Sequence, residues 1–115
     1  MIGERQIQEI LAQYDKHGWS LRRVLLSAET EKNLHDSFFG NAQIVSAELD
    51  ALWFSRAAGE GRETWELRHL SNAPFALVEV FEADDEEEIR EETRQELQTR
   101  LIEQTSKFGN KKVAG

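Results

Sequence analysis

Residues 50–82, DALWFSRAAGEGRETWELRHLSNAPFALVEVFE, carry three bulky runs separated by turn-forming residues. Ala51-Leu52-Trp53-Phe54 places Asp50 to Arg56 in a strand, and the loop Ala57 to Arg62 holds Gly59 and Gly61 where a hairpin must reverse. In the return strand, Glu63 to Leu70, Trp65, Leu67 and His69 alternate with Thr64, Glu66 and Arg68. That is period two, the signature of a strand with an inside and an outside. Ser71-Asn72-Ala73-Pro74 is turn chemistry. Phe75 to Glu82 follows as the most apolar strand, with Phe75, Leu77 and Phe81 on one face and Ala76, Val78 and Val80 on the other. Its apolarity predicts an internal strand, or one covered on both sides. Short connections make these three strands antiparallel neighbours.

Working outward, Ile7, Ile10, Leu11 and Tyr14 form one apolar stripe at helical spacing, which predicts a helix from about Gly3 to His17, stopped by Gly18. Trp19 to Leu26 reads as a strand of imperfect alternation, with Leu21 and Leu25 pointing one way and Val24 and Leu26 the other. Ser27 is the N-cap expected for a short helix reaching about Phe38, and Gly40-Asn41 ends it. Residues 42–48 are ambiguous between helix, strand and loop. A last helix is predicted from about Asp85 to Lys107, with a thin stripe of Ile89, Leu97, Leu101 and Phe108. Its acids crowd the start, where the helix dipole favours them. Glu86–Arg90 and Glu96–Arg100 are spaced to pair along it.

The expected fold is therefore α+β: an antiparallel three- to four-stranded sheet, with residues 50–82 as its meander and helices packed on one face. The order is α-β-α-β-β-β-α. Residues 1–109 form a single domain in this reading, and 110–115 a flexible tail. At 115 residues and 39% apolar composition the chain is long enough for one core.

Charge and composition narrow the function. The net charge of −8 is concentrated in residues 82–92, where Glu82, Asp84, Asp85, Glu86, Glu87, Glu88, Glu91 and Glu92 face one base, Arg90. Such a field repels nucleic acid and anionic lipid, so neither is an expected partner. The absence of cysteine excludes disulfides and thiolate chemistry. Met1 to Arg5 has no long apolar run of the signal-peptide kind, and a cytoplasmic protein is expected.

No catalytic motif is present. His17, His35 and His69 are not at metal-ligand spacing, and the acidic run Asp84 to Glu88 lacks the alternating ligands and central glycine of a calcium loop. No G-x-x-x-x-G-K-[ST], G-x-G-x-x-G or G-x-S-x-G pattern occurs. No metal, cofactor or catalytic residue is expected. Asp50, Arg56, Glu66, Arg68 and Glu79 read as charges of a solvated sheet face, with Asp50 opposite Arg68 if the register permits. Trp53, Trp65, Arg68 and His69 are the candidate ligand-binding residues, because they combine aromatic surface with a cation and the most interesting of the histidines. Across the hairpin, Trp53 and Trp65 either stabilise it as a pair or mark an interface.

Over residues 28–107 the predicted order of helix, three strands and helix resembles double-stranded RNA-binding domains in outline only. Those domains need basic residues at the start of the final helix, where this chain has Asp85-Glu86-Glu87-Glu88. The resemblance is set aside. The leading expectation is a non-enzymatic protein-interaction or self-associating domain, with a homodimer or protein partner. The alternative is a small-ligand-binding protein or enzyme with a pocket between sheet and helices.

Overall fold

The computed structural model describes residues 3–34, 39–71 and 75–114, with side chains described through residue 105. Two compact units divide the chain, Met1–Ala83 and Asp84–Gly115. The first carries the sheet and the second a single long helix.

Helix α1 (Glu4–Lys16) forms where the stripe predicts it. The Gln6 carboxamide accepts from the Gly3 N–H at 3.0 Å, and Gly18 leaves the helix at a φ of 84°. Strand β1 (Ser20–Leu26) is followed by α2 (Ala28–Asn33), whose N-cap is Ser27. The Ser27 hydroxyl accepts from the Thr30 N–H at 3.4 Å. Helix α2 ends at Asn33 because Leu34 is already extended. Phe38 and His35, read as part of that segment, lie outside the described residues.

Strand β2 (Gln43–Ser46) occupies the segment that the sequence left undefined. Strands β3 (Ala51–Ala57), β4 (Glu63–His69) and β5 (Ala76–Phe81) then form the predicted meander. The sheet is five-stranded and mixed, in the order β2-β1-β3-β4-β5. This corrects the expectation of a wholly antiparallel three- to four-stranded sheet and of the order α-β-α-β-β-β-α. The physical reason is the connection through α2. It returns the chain in its original direction, so β2 pairs parallel to β1, Val24 beside Ile44 and Leu26 beside Ser46.

A second correction concerns β1. The register with β3 shifts between Leu21 and Arg23, which inserts a bulge. Leu21 therefore joins Val24 and Leu26 on one face, and of the apolar residues of β1 only Leu25 turns to the other, beside Arg23. The first face carries the core of Ile7, Val24, Leu26, Phe39, Leu52, Phe54 and Leu70, with Ile10, Leu11, Tyr14 and Trp19 packed against it. Helix α1 thus lies over this face. Tyr14 stacks on Phe54 at a centroid separation of 3.9 Å. On the second face Leu25, Ala51, Trp53, Ser55, Trp65, Leu67 and Phe81 are all buried.

In the hairpin between β3 and β4, Gly59, Glu60 and Gly61 all have positive φ. A Cβ on Gly61 would come within 2.7 Å of the Ala83 Cβ, so only glycine fits there. The third correction falls on β5. It is an edge strand, not an internal one, and its Ala76, Val78 and Val80 side chains are exposed.

In the second unit, α3 (Glu87–Ala114) begins two residues later and runs further than its charge pattern suggests. Arg94 bonds Glu87 and Glu91, each at 2.8 Å. This bond to Arg94 holds the Glu87 carboxyl below its usual range. No described helix is long and apolar enough to cross a membrane.

Candidate functional site

The β3–β4 register decides where the four candidate residues go. Trp53 faces Leu67, Ser55 faces Trp65, and Ala51 faces His69. Trp53, Trp65 and His69 therefore share the second face, while Arg68, opposite Leu52, points to the first. The four do not converge on one pocket. Trp53 and Trp65 are diagonal neighbours, not a directly facing pair, and meet edge to face at 5.9 Å. Phe81 continues the aromatic row at 6.4 Å from Trp65, and Arg22 from the β1 bulge lies over the Trp65 ring at 5.3 Å. Both tryptophans are buried.

Asp50 is not opposite Arg68. Its carbonyl accepts from the Leu70 N–H at 2.9 Å. Its carboxylate accepts from the Ser27 N–H at 2.7 Å and from the Thr30 hydroxyl at 2.6 Å, tying the start of β3 to the start of α2. Thr30 is buried, so this polar knot is an internal brace. His69 is half-buried, and that burial pushes its imidazole below the usual value. The Arg68 charge acts in the same sense, with Asp50 opposing. The His69 backbone N–H donates to the Phe75 carbonyl at 2.9 Å.

On the first face, the Tyr14 hydroxyl donates to the Glu66 carboxylate. Burial and this bond push the phenol well above its ordinary value, so it stays protonated. Two open grooves flank the pair. One, of about 400 Å³, is lined by Gln6, Glu9, Ile10, Gln13, Tyr14, Arg68 and Ser71. The other, of about 280 Å³, is lined by Gln13, Tyr14, His17, Trp19, Arg56 and Glu66. In the second groove Arg56 stacks over Trp19 at 4.5 Å and donates to the His17 carbonyl at 3.1 Å. Of the four candidates only Arg68 reaches either groove. Its guanidinium donates to the His69 carbonyl.

Among the described residues no group of three or more histidines and carboxylates is placed to hold a metal ion. Glu88, Glu91, Glu92, Glu96 and Glu103 line one side of α3 together with Arg100, a mainly acidic face along a single helix.

The remaining candidate is the β5 edge. Val78 and Val80 are 50% and 47% exposed, more than any residue of β3 or β4 with a comparable side chain. Ala76, Val78 and Val80 lie directly across from Arg68, Glu66 and Thr64, and so share the first face with them. The register with β4 is unbroken from Glu63–Phe81 to Arg68–Ala76. Sequence reasoning assigned the two faces of this strand but missed its place at the margin. The usable signal was Glu79, a lone charge on the Leu77 and Phe81 side.

No protein-family model matches the chain. No curated protein matches it, and neither does any solved structure.

Proposed function

We propose that the protein is a non-enzymatic interaction domain that works by strand addition at β5. The observation that carries this is the character of that edge. It is six residues long and regular, and it exposes a row of three apolar side chains. Sheet margins are ordinarily guarded by charged side chains, lysine above all, by charges pointing inward, by proline, a bulge, a covering element or extreme shortness. Ala76 to Phe81 contains neither lysine nor proline, and its ladder with β4 has no bulge, so its one guard is the Glu79 carboxylate on the second face. A margin guarded by a single carboxylate still offers main-chain donors and acceptors to an incoming strand, while the side chains on one face supply the apolar contact.

Amide hydrogen exchange tests the reading. In dilute protein the amides of Ala76, Val78 and Val80 are expected to exchange fast, while those of Leu77 and Glu79 are protected by β4. An alternating Val-Thr peptide should slow exchange at the first three. Val78→Lys together with Val80→Lys should abolish that effect without moving Tm. The reading is abandoned if the three amides are already protected in dilute protein, or if the peptide leaves them unchanged.

A further inference from the structure

The strand-addition reading, on which this inference rests, leaves open what the edge selects. We infer that β5 takes a basic partner strand: an extended segment of another protein that sets apolar side chains beside Ala76, Val78 and Val80 and a lysine or arginine beside Glu79.

The His69 N–H donates to the Phe75 carbonyl, so Phe75 turns its main-chain groups toward β4. In an antiparallel pair these groups alternate in direction along each strand. Leu77, Glu79 and Phe81 therefore also bond inward, and Ala76, Val78 and Val80 present their N–H and C=O groups outward. Side chains alternate with the same period, so a strand laid along this edge meets two different rows. One is the exposed apolar row of Ala76, Val78 and Val80. The other is Leu77, Glu79 and Phe81, in which the single charge is the Glu79 carboxylate.

Strands β4 and β5 carry three carboxylates, and they differ in what they hold. Glu63 accepts from the Trp65 indole N–H at 3.3 Å, and Glu66 accepts from the Tyr14 hydroxyl. The Glu79 side chain is partly buried, yet it makes no hydrogen bond or ion pair with any described residue. Arg22, which reaches the same face, is placed over the neighbouring Trp65 ring instead. A strand docked on the edge removes water from that carboxylate, and an uncompensated charge is costly to desolvate. An apolar residue beside it leaves that penalty in place, and an acidic one adds repulsion. A lysine or arginine offsets both. It does so in either direction of pairing, since the residue beside Glu79 always lies on its face. A second copy of β5 has no such residue to offer, because Ala76 to Phe81 contains no base. The carboxylate thus turns a general main-chain edge into a selective one, by penalising the wrong strands.

Three synthetic peptides separate the outcomes: the alternating Val-Thr peptide, and two versions of it whose central threonine is replaced by lysine or by glutamate. Amide exchange at Ala76, Val78 and Val80 reads their binding at about 0.15 M salt, where distant surface charges are largely screened. The lysine peptide should bind about three- to five-fold tighter than the Val-Thr peptide, and the glutamate peptide weaker by a similar factor. Glu79→Gln should bring all three within about 1.5-fold of one another while Val-Thr binding persists. Glu88→Gln, which removes one acid from α3, should leave the ranking unchanged. A ranking that is absent in the wild-type protein, that survives Glu79→Gln, or that Glu88→Gln also removes overturns the basic strand as partner while leaving strand addition standing. Protection of the three amides at millimolar protein without peptide, together with a doubled mass by light scattering, makes a second copy the occupant and overturns it too. If no peptide alters exchange at the three amides, both proposals fall.

Discussion

Strands β3 and β5 are both rich in large apolar residues, and the sequence treats them alike, yet the sheet uses them in opposite ways. From Ala51 to Ser55 every residue of β3 is buried, so both of its faces are sealed. On β5 only Phe81 is buried, and the three residues of its first face are exposed. Hydropathy reports what a strand can bury, whereas its place in the sheet decides what it does bury. β3 sits between β1 and β4 and receives side-chain neighbours from both. Among the described residues β5 has a strand neighbour on one side only, and the apolar side chains of its first face are exposed. The difference separates a strand sealed within the fold from one whose first face meets solvent.

The contrast can be broken most forcefully at Trp53. Trp53→Ala empties a fully buried position, and a loss of ~3–5 kcal/mol in urea-unfolding free energy is expected. A loss below ~1 kcal/mol would mean that β3 is not the sealed strand described. Asp50→Ala comes next. It removes the acceptor of both the Ser27 N–H and the Thr30 hydroxyl, and a loss of about 2 kcal/mol is expected. Asp50→Asn, which retains one acceptor oxygen, should recover part of this.

A smaller effect should appear with pH at His69, the residue of β4 beside Ala51. Its folded imidazole titrates below the unfolded value of 6.5, so the unfolded chain binds the proton more readily. Its contribution to stability is complete above that value and is lost as pH falls through the folded one. Urea midpoints should therefore decline on moving from about pH 7.5 to pH 5, and His69→Gln should flatten that decline. Glu87, also depressed, loses its contribution only below its unfolded value of 4.5, which separates the two groups. The smallest change is expected at β5. Val78→Thr should alter unfolding of dilute protein by no more than ~0.5 kcal/mol, because the side chain already faces water. A larger loss would erase the distinction between the two strands.

The meander was legible because its determinants are local. Gly59 and Gly61 mark one reversal, and the Trp65, Leu67, His69 alternation marks the strand that follows. Helix α1 and the Ser27 cap were legible for the same reason. Strand β2 was not, because Gln43-Ile44-Val45-Ser46 is short, two of its four residues are polar, and its pairing is made with a strand that precedes α2. The bulge at Arg22 left only a faulty alternation as its trace. The site residues fared worse. Trp53, Trp65, Arg68 and His69 are near one another in sequence, but alternation sends Arg68 to the opposite face. The Tyr14–Glu66 and Asp50–Thr30 bonds join residues 52 and 20 positions apart, a separation over which no periodicity carries information.

The brevity of β2 has its own consequence. The sheet has two margins, one of six residues and one of four. Contact between unlike margins is head-to-tail and can be repeated without limit, which is how fibres grow. A stub of four residues gives such a chain little to hold at each joint.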